Sequence, residues 1–332
     1  MVELALGLSL VLVAAVVQGG YATFLKRIGR WKWENFWFLF SFWAFAGLPF
    51  LWVLAAIPNW ITILSSSPPM GVLAPFLLGF VWGLGGFTFG LSVDRAGMAI
   101  TYSVVVGANG LLGCIFSMLA SGTVVSGVGL PTLFAGLLLV AIGVALSGYS
   151  GLMREKTSKP NPEAVGRRRP LLFTIISAAV SPLLIVGVTY GKSMANTALN
   201  LGLSTTEATL SVWMVALLGA SVLDMAYPLL LLAKGRSYRL YAVGGVGPFI
   251  GSFIAGALWF GGIVVFGVGS TLLGSLGPSV GWAVLTSTVI LVGNLAGVLM
   301  GEWTGTPKPL QIQLISLVAL VAGISLAALA LA

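Results

Sequence analysis

Residues 79–90 read GFVWGLGGFTFG, and residues 256–267 read GALWFGGIVVFG. At one fixed offset the two stretches share Gly79, Trp82, Gly85, Phe89 and Gly90 with Gly256, Trp259, Gly262, Phe266 and Gly267. A repeat this far apart divides the chain into two halves before any single element is assigned. On a helix, positions 82, 86, 89 and 90 share a face, so each copy presents an indole, small residues that admit another backbone, and a second ring. Such a face is a packing seam or a cavity wall.

With 58% apolar and 7% charged residues and a mean hydropathy of +1.07, the chain reads as an all-α integral membrane protein. The single cysteine, Cys114, excludes an internal disulfide framework, and a sequence without histidine lacks the usual imidazole metal, general-base and pH-switch chemistry. The sequence holds no GxxxxGK[ST] loop and no HExxH or DDxxD run, and its GxSxG match at Gly277–Gly281 stands in a chain with no histidine to activate the serine, so neither an ATP-driven pump nor an intramembrane enzyme is indicated. No cofactor and no metal are expected.

Residues 4–24 are apolar and long enough to cross a hydrocarbon core of about 30 Å. Glu3 is the only early charge and no A-x-A-like site follows, so this segment is expected to be kept rather than cleaved. Nine further spans are predicted at 35–57, 71–93, 97–119, 132–149, 171–190, 209–233, 246–268, 279–300 and 310–331.

Basic residues choose the orientation. Lys26, Arg27, Arg30 and Lys32 fall in the first connection, Arg154, Lys156, Lys159 and Arg167–Arg169 in the fifth, and Lys234, Arg236 and Arg239 in the seventh. The even connections and both ends hold only Lys192, which predicts cytoplasmic odd connections and both termini outside. The excess of 16 Lys and Arg over 8 Asp and Glu thus reports orientation rather than nucleic-acid binding. The polar linker 151–170, with Pro160, Pro162 and three consecutive arginines, separates a first five-helix repeat (1–150) from a second (171–332). Because five is odd, the second repeat enters from the opposite side, the inverted plan of many carriers with a site near the midplane. A weaker echo pairs residues 113–123 with 297–306.

The residues also resemble a known family, the L-rhamnose:proton symporters of the drug/metabolite transporter superfamily, nearly end to end. The resemblance is carried by Tyr21-Ala22 with Phe24, then Trp31, Trp33, Glu34 and Trp37; by Trp82-Gly83, Gly85, Gly90-Leu91 and Gly97-Met98; and by Lys192, Leu232-Ala233-Lys234 and Glu302-Trp303. It implies a ten-helix inverted-repeat carrier in the bacterial cytoplasmic (inner) membrane, driven by a cation gradient, with a sugar as cargo. Two features depart from the family pattern. The ninth span opens Gly277-Pro278-Ser279-Val280-Gly281-Trp282-Ala283 in place of a polar, tyrosine- and acid-containing run, and Asp224 stands where a neutral residue is expected.

Asp224 lies about ten residues from the basic connection at Lys234, hence about 15 Å into the bilayer at 1.5 Å per residue. A charged group at that depth costs at least about 2.5 kcal/mol, so it faces a cavity, has a partner or carries protons. It is the candidate proton-coupling group, the alternative being a protonated structural hydrogen bond. Trp82 and Trp259 offer flat faces for the C–H side of a pyranose, or simply pack around glycine. Gln18, Tyr102, Asn109, Tyr190 and Asn294 are polar and deep, suited to a polyhydroxylated ligand or to interhelical bonding. Tyr21 and Lys192 join the cargo-binding candidates through the resemblance; a lysine at the end of the sixth span otherwise snorkels to headgroups. Trp31, Trp33 and Trp37 read as an interfacial belt, Glu34 as a partner of Arg30, and Pro182 as a kink in the sixth span. The fifth and tenth spans, nearly devoid of polar groups, are expected to pack on the outside or in a dimer.

The reading is a secondary active carrier, a proton-coupled symporter of L-rhamnose or a related sugar. The alternative is an exporter of amino acids or other small metabolites in the same superfamily. The partners are the small-molecule cargo, a proton or sodium ion, membrane lipids and, in a homodimer, a second copy; nucleic acid is not among them.

Overall fold

The computed structural model describes residues 2–121, 129–157, 170–301 and 303–330. Every regular element among them is helical. Ten helices are long and apolar enough to cross a membrane: α1 (Val2–Leu25), α2 (Trp33–Ala56), α3 (Pro69–Arg95), α4 (Tyr102–Ala120), α5 (Gly129–Arg154), α6 (Leu172–Asn200), α7 (Thr205–Gly235), α8 (Gly247–Leu272), α9 (Gly277–Leu299) and α10 (Pro307–Ala327). The chain is an integral membrane protein, and each of these helices overlaps one predicted span. In hydrocarbon every backbone polar group must find its partner inside the chain, which leaves helices as the open choice for an apolar sequence without barrel patterning. The helix of α5 runs on to Thr157, into the stretch expected as linker. Residues 158–169 of that linker, with Thr123 and Glu302, lie outside the described residues.

Several spans are not continuous α-helix. The sixth is helical over Pro170–Val180, Leu183–Tyr190 and Lys192–Asn200, and it breaks first at Pro182, whose ring excludes the preceding turn and which has no N–H to give. Ser181 Oγ donates to the freed Ala178 carbonyl at 3.2 Å. Three other spans contain a π-helical turn: Phe42–Gly47 in α2, Tyr102–Val106 in α4 and Gly277–Gly281 opening α9.

The glycines of the repeat are points of close approach. A Cβ on Gly79 or Gly83 would collide with the carbonyl oxygens of Ala216 and Ala220, and one on Gly86 with Asp224, so α3 lies directly on α7. The second copy swaps these partners. Gly79 closes on α7 whereas Gly256 closes on Trp43 and Ala44 of α2; Gly85 meets Val180 of α6 whereas Gly262 meets Gln18 of α1; Gly90 meets Trp37 of α2 whereas Gly267 meets Leu210 of α7.

The fifth and tenth spans pair with each other, a Cβ on Gly136 falling 2.9 Å from the Gly323 carbonyl. They are the least buried spans, and α9 is the most buried. They are less apolar than expected, for Gln313 of α10 donates to Ser147 Oγ of α5 at 2.8 Å and to Asn294 of α9 at 2.5 Å. Ser147 also meets Ser103 of α4, and Ser316 donates to the Gly143 carbonyl at 2.8 Å.

Candidate functional site

The spans around α9 line a cavity of about 80 Å³, smaller than the usual small-molecule site. Its walls come from α1 (Gln18, Tyr21), α2 (Trp37, Phe40, Phe45), α3 (Trp82, Gly85, Gly86, Phe89), α4 (Tyr102, Val105, Val106, Asn109), α6 (Ser177, Ser181, Leu184), α8 (Trp259) and α9 (Trp282, Thr286, Val289). The two indoles of the repeat meet here. Trp82 and Trp259 stand 5.8 Å apart at 42°, and Phe45 packs perpendicular to both, at 5.5 and 4.7 Å. On the other wall Tyr21 stacks on Phe40 at 5.1 Å, and Phe89 meets Tyr102 edge-on at 5.4 Å. Trp282 is backed by Phe266, the ring of the second repeat copy, at 5.3 Å.

Most polar groups on the wall are tied to the protein. Gln18 Nε2 donates to the Trp259 carbonyl at 3.4 Å and Trp282 Nε1 to Asn109 Oδ1 at 3.2 Å. Ser177 and Thr286 hydroxyls donate to the Gly85 and Trp282 carbonyls at 2.8 Å each. The Tyr102 hydroxyl is buried with no hydrogen-bond partner.

Asp224 sits one layer behind the wall and is fully buried. Trp37 Nε1 donates to its Oδ2 at 3.2 Å, and the Ser41 hydroxyl bonds the same oxygen. Oδ1 faces the bare Cα of Gly86 and has no hydrogen-bond partner. Among the described residues no lysine or arginine pairs with it.

Of the residues selected from the sequence, Gln18, Tyr21, Trp82, Tyr102, Asn109 and Trp259 come together on the cavity wall, with Asp224 behind it. Asn294, Tyr190 and Lys192 do not. Asn294 is buried outside the cavity, its amide donating to the Ile290 carbonyl at 2.8 Å and its carbonyl accepting from Gln313. The chain turns at Gly191, and this puts both Tyr190 and Lys192 on the outer surface. The tryptophans after the first span are not an interfacial belt: Trp31, Trp33 and Trp37 are all buried. Trp37, Phe40, Ser41 and Trp282 were missed. The one signal for Ser41 is its spacing of four from Trp37, which puts both on one helical face.

The end of the molecule beside the first and seventh connections is tied across the two halves. Trp31 Nε1 donates to the Leu240 carbonyl at 3.2 Å, Asn35 Nδ2 to the Ser237 carbonyl at 2.9 Å and the Tyr241 hydroxyl to the Asn35 carbonyl at 3.0 Å. Glu34, expected to pair with Arg30, instead accepts the Ser237 hydroxyl at 2.8 Å. Partial burial pushes the Tyr241 phenol up to about 12, so it remains a donor at neutral pH.

Comparison with known proteins places this arrangement. The family described as L-rhamnose-proton symport protein (RhaT) matches residues 2–332. The chain belongs to the RhaT family. Among RhaT relatives, the L-rhamnose-proton symporter of Yersinia pestis (strain Pestoides F) is 22% identical over 322 residues, 94% of this chain and 93% of its own length. The L-rhamnose-proton symporter of Pectobacterium atrosepticum gives the same identity and coverage.

Proposed function

We propose that this RhaT-family chain is a proton-coupled symporter of L-rhamnose or a closely related sugar, the activity that the names of its relatives give to them. The observation that carries this reading is the place of Asp224, a fully buried carboxylate without a cationic partner, one indole away from an aromatic cavity. Charged, such a group is expensive in the membrane; with a proton bound, it is not. A carrier that moves only when loaded with a proton needs that difference.

The wall suits a sugar. Trp82 and Trp259 offer apolar faces for the C–H side of a pyranose ring. Gln18, Tyr21, Tyr102 and Asn109 supply donors and acceptors for its hydroxyls. The free Tyr102 hydroxyl supports a polar ligand most directly, since a buried group without a partner costs about 1–3 kcal/mol until something bonds it. Access alternates as one five-helix repeat rocks against the other. The exchange of partners between Gly79–Gly90 and Gly256–Gly267 supports two repeats related by an in-plane two-fold axis. The basic first, fifth and seventh connections face the cytoplasm and both termini face out, in the bacterial inner membrane.

The test is uptake of labelled L-rhamnose into proteoliposomes, with competing sugars, under an imposed proton or sodium gradient. L-rhamnose is expected to accumulate with the proton gradient and not with sodium. Asp224→Asn is expected to retain sugar–sugar exchange and to lose accumulation. Failure of any sugar to enter under either gradient removes the cargo assignment.

A further inference from the structure

Among the described residues, Trp37 alone both lines the cavity and hydrogen-bonds Asp224. Its ring is held in place by stacking on Trp33 at 5.5 Å, by contact with Phe40 at 4.9 Å, and by the slot that Gly90 leaves without a side chain. The indole therefore meets the cavity with one part and the carboxylate with another. Any ligand that touches the ring presses on a group whose N–H is 3.2 Å from Asp224 Oδ2.

The bonds around Trp37 depend on where one proton sits. Ser41 Oγ lies 2.7 Å from the Trp37 carbonyl and also against Asp224 Oδ2. A hydroxyl has a single proton to give. When Asp224 is charged, Ser41 donates to the carboxylate and the Trp37 carbonyl goes without that donor. When Asp224 carries a proton on Oδ2, the carboxyl donates to Ser41, and Ser41 turns its own proton to the Trp37 carbonyl. Loading the proton thus alters both polar contacts of Trp37: the carbonyl gains a donor, and the N–H bond loses its charge assistance. No cation intervenes among the described residues. The titratable groups that face the carboxylate are the phenols of Tyr21 and, next to it, Tyr102.

We propose that Trp37 is the positioning residue through which cargo and proton act on each other in this carrier, its ring contacted by the sugar and its N–H by Asp224. This rests on the symport reading above. The link runs both ways: if protonation changes how the indole is held, a sugar that binds the indole changes proton binding by the same factor.

The variant that tests it is Trp37→Phe, which keeps an aromatic wall and removes the N–H. In proteoliposomes, the ratio of proton-driven accumulation to sugar–sugar exchange is expected to fall about tenfold relative to the native chain, the worth of one hydrogen bond to a charged group. Trp37→His, which restores a ring N–H, is expected to recover part of the loss. The native chain supplies a second measurement. Infrared difference spectra should show that L-rhamnose shifts a carboxyl band which is missing in Asp224→Asn. Equal accumulation by Trp37→Phe and the native chain overturns the proposal and leaves symport standing, as does equal loss of exchange and accumulation, or a carboxyl band in the native chain that does not respond to sugar. If the native chain accumulates no sugar at all, the symport reading falls and this proposal falls with it.

Discussion

Two of the buried polar clusters among the described residues are finished in opposite ways. Where α5 and α10 meet α4 and α9, Ser103, Ser147, Asn294 and Gln313 bond one another, and none of their buried polar atoms lacks a partner. On the cavity wall the Tyr102 hydroxyl, and behind it Asp224 Oδ1, are buried and without a hydrogen-bond partner. The first arrangement is a closed set that fixes how four helices meet. The second is open, and leaving it open costs stability. Polar burial in a membrane bundle therefore has two uses, and the count of satisfied atoms tells them apart better than residue type or depth does.

The sharpest way to break this contrast is to fill the open cluster. Gly86→Ala puts a methyl group where Asp224 Oδ1 now lies, and proton-driven sugar accumulation is expected to fall to the level of Asp224→Asn. Overpacking of this kind costs about 1–3 kcal/mol, so a thermal melt in detergent should show a folded but less stable protein. Tyr102→Phe removes the orphaned hydroxyl. It is expected to raise the KM for sugar about tenfold, the loss of roughly one hydrogen bond, and to raise the melting temperature of the sugar-free protein, because the cost of burying an unpaired hydroxyl goes with it. Gln313→Leu opens the closed cluster and should do the reverse, lowering stability by about 1–3 kcal/mol in a denaturation series with KM unaltered. The smallest effect belongs to Lys192→Gln on the exposed outer face, where transport should stay within about twofold of native, as for most surface substitutions.

The architecture was legible because the physics that writes it is coarse. Ten apolar runs of bilayer length can do little in hydrocarbon except form helices, and the recurrence of Gly79–Gly90 at Gly256–Gly267 marked the two indoles that face each other at 5.8 Å. The burial of Asp224 was legible from its place along the span. What the sequence did not disclose is which neighbour each side chain turns to. Trp37 lies just beyond Arg30 and Lys32, and that setting suggests headgroups; its partner Asp224 is 187 residues away. Asn294 is as polar and as buried as a residue of the cavity wall, yet Gln313 of the next helix claims it. Tyr190 and Lys192 were judged by position along a span, and the turn at Gly191 decided their face instead. A helical period gives the face of a residue and says nothing of the helix opposite.

The three π-helical turns have a consequence for movement. Phe45 lies within the turn of α2, Tyr102 and Val105 within that of α4, and Trp282 directly after that of α9, so the slack of all three helices is stored beside the cavity. Each turn holds one residue more than an α-helical turn needs, about 100° of rotation at 3.6 residues per turn. A span that bent by opening its ladder would strand peptide groups in lipid. A span that passes its extra residue up or down the ladder turns the side chains between the old and new positions while its peptide groups remain paired, which lets the walls of a site be re-aimed from inside a membrane.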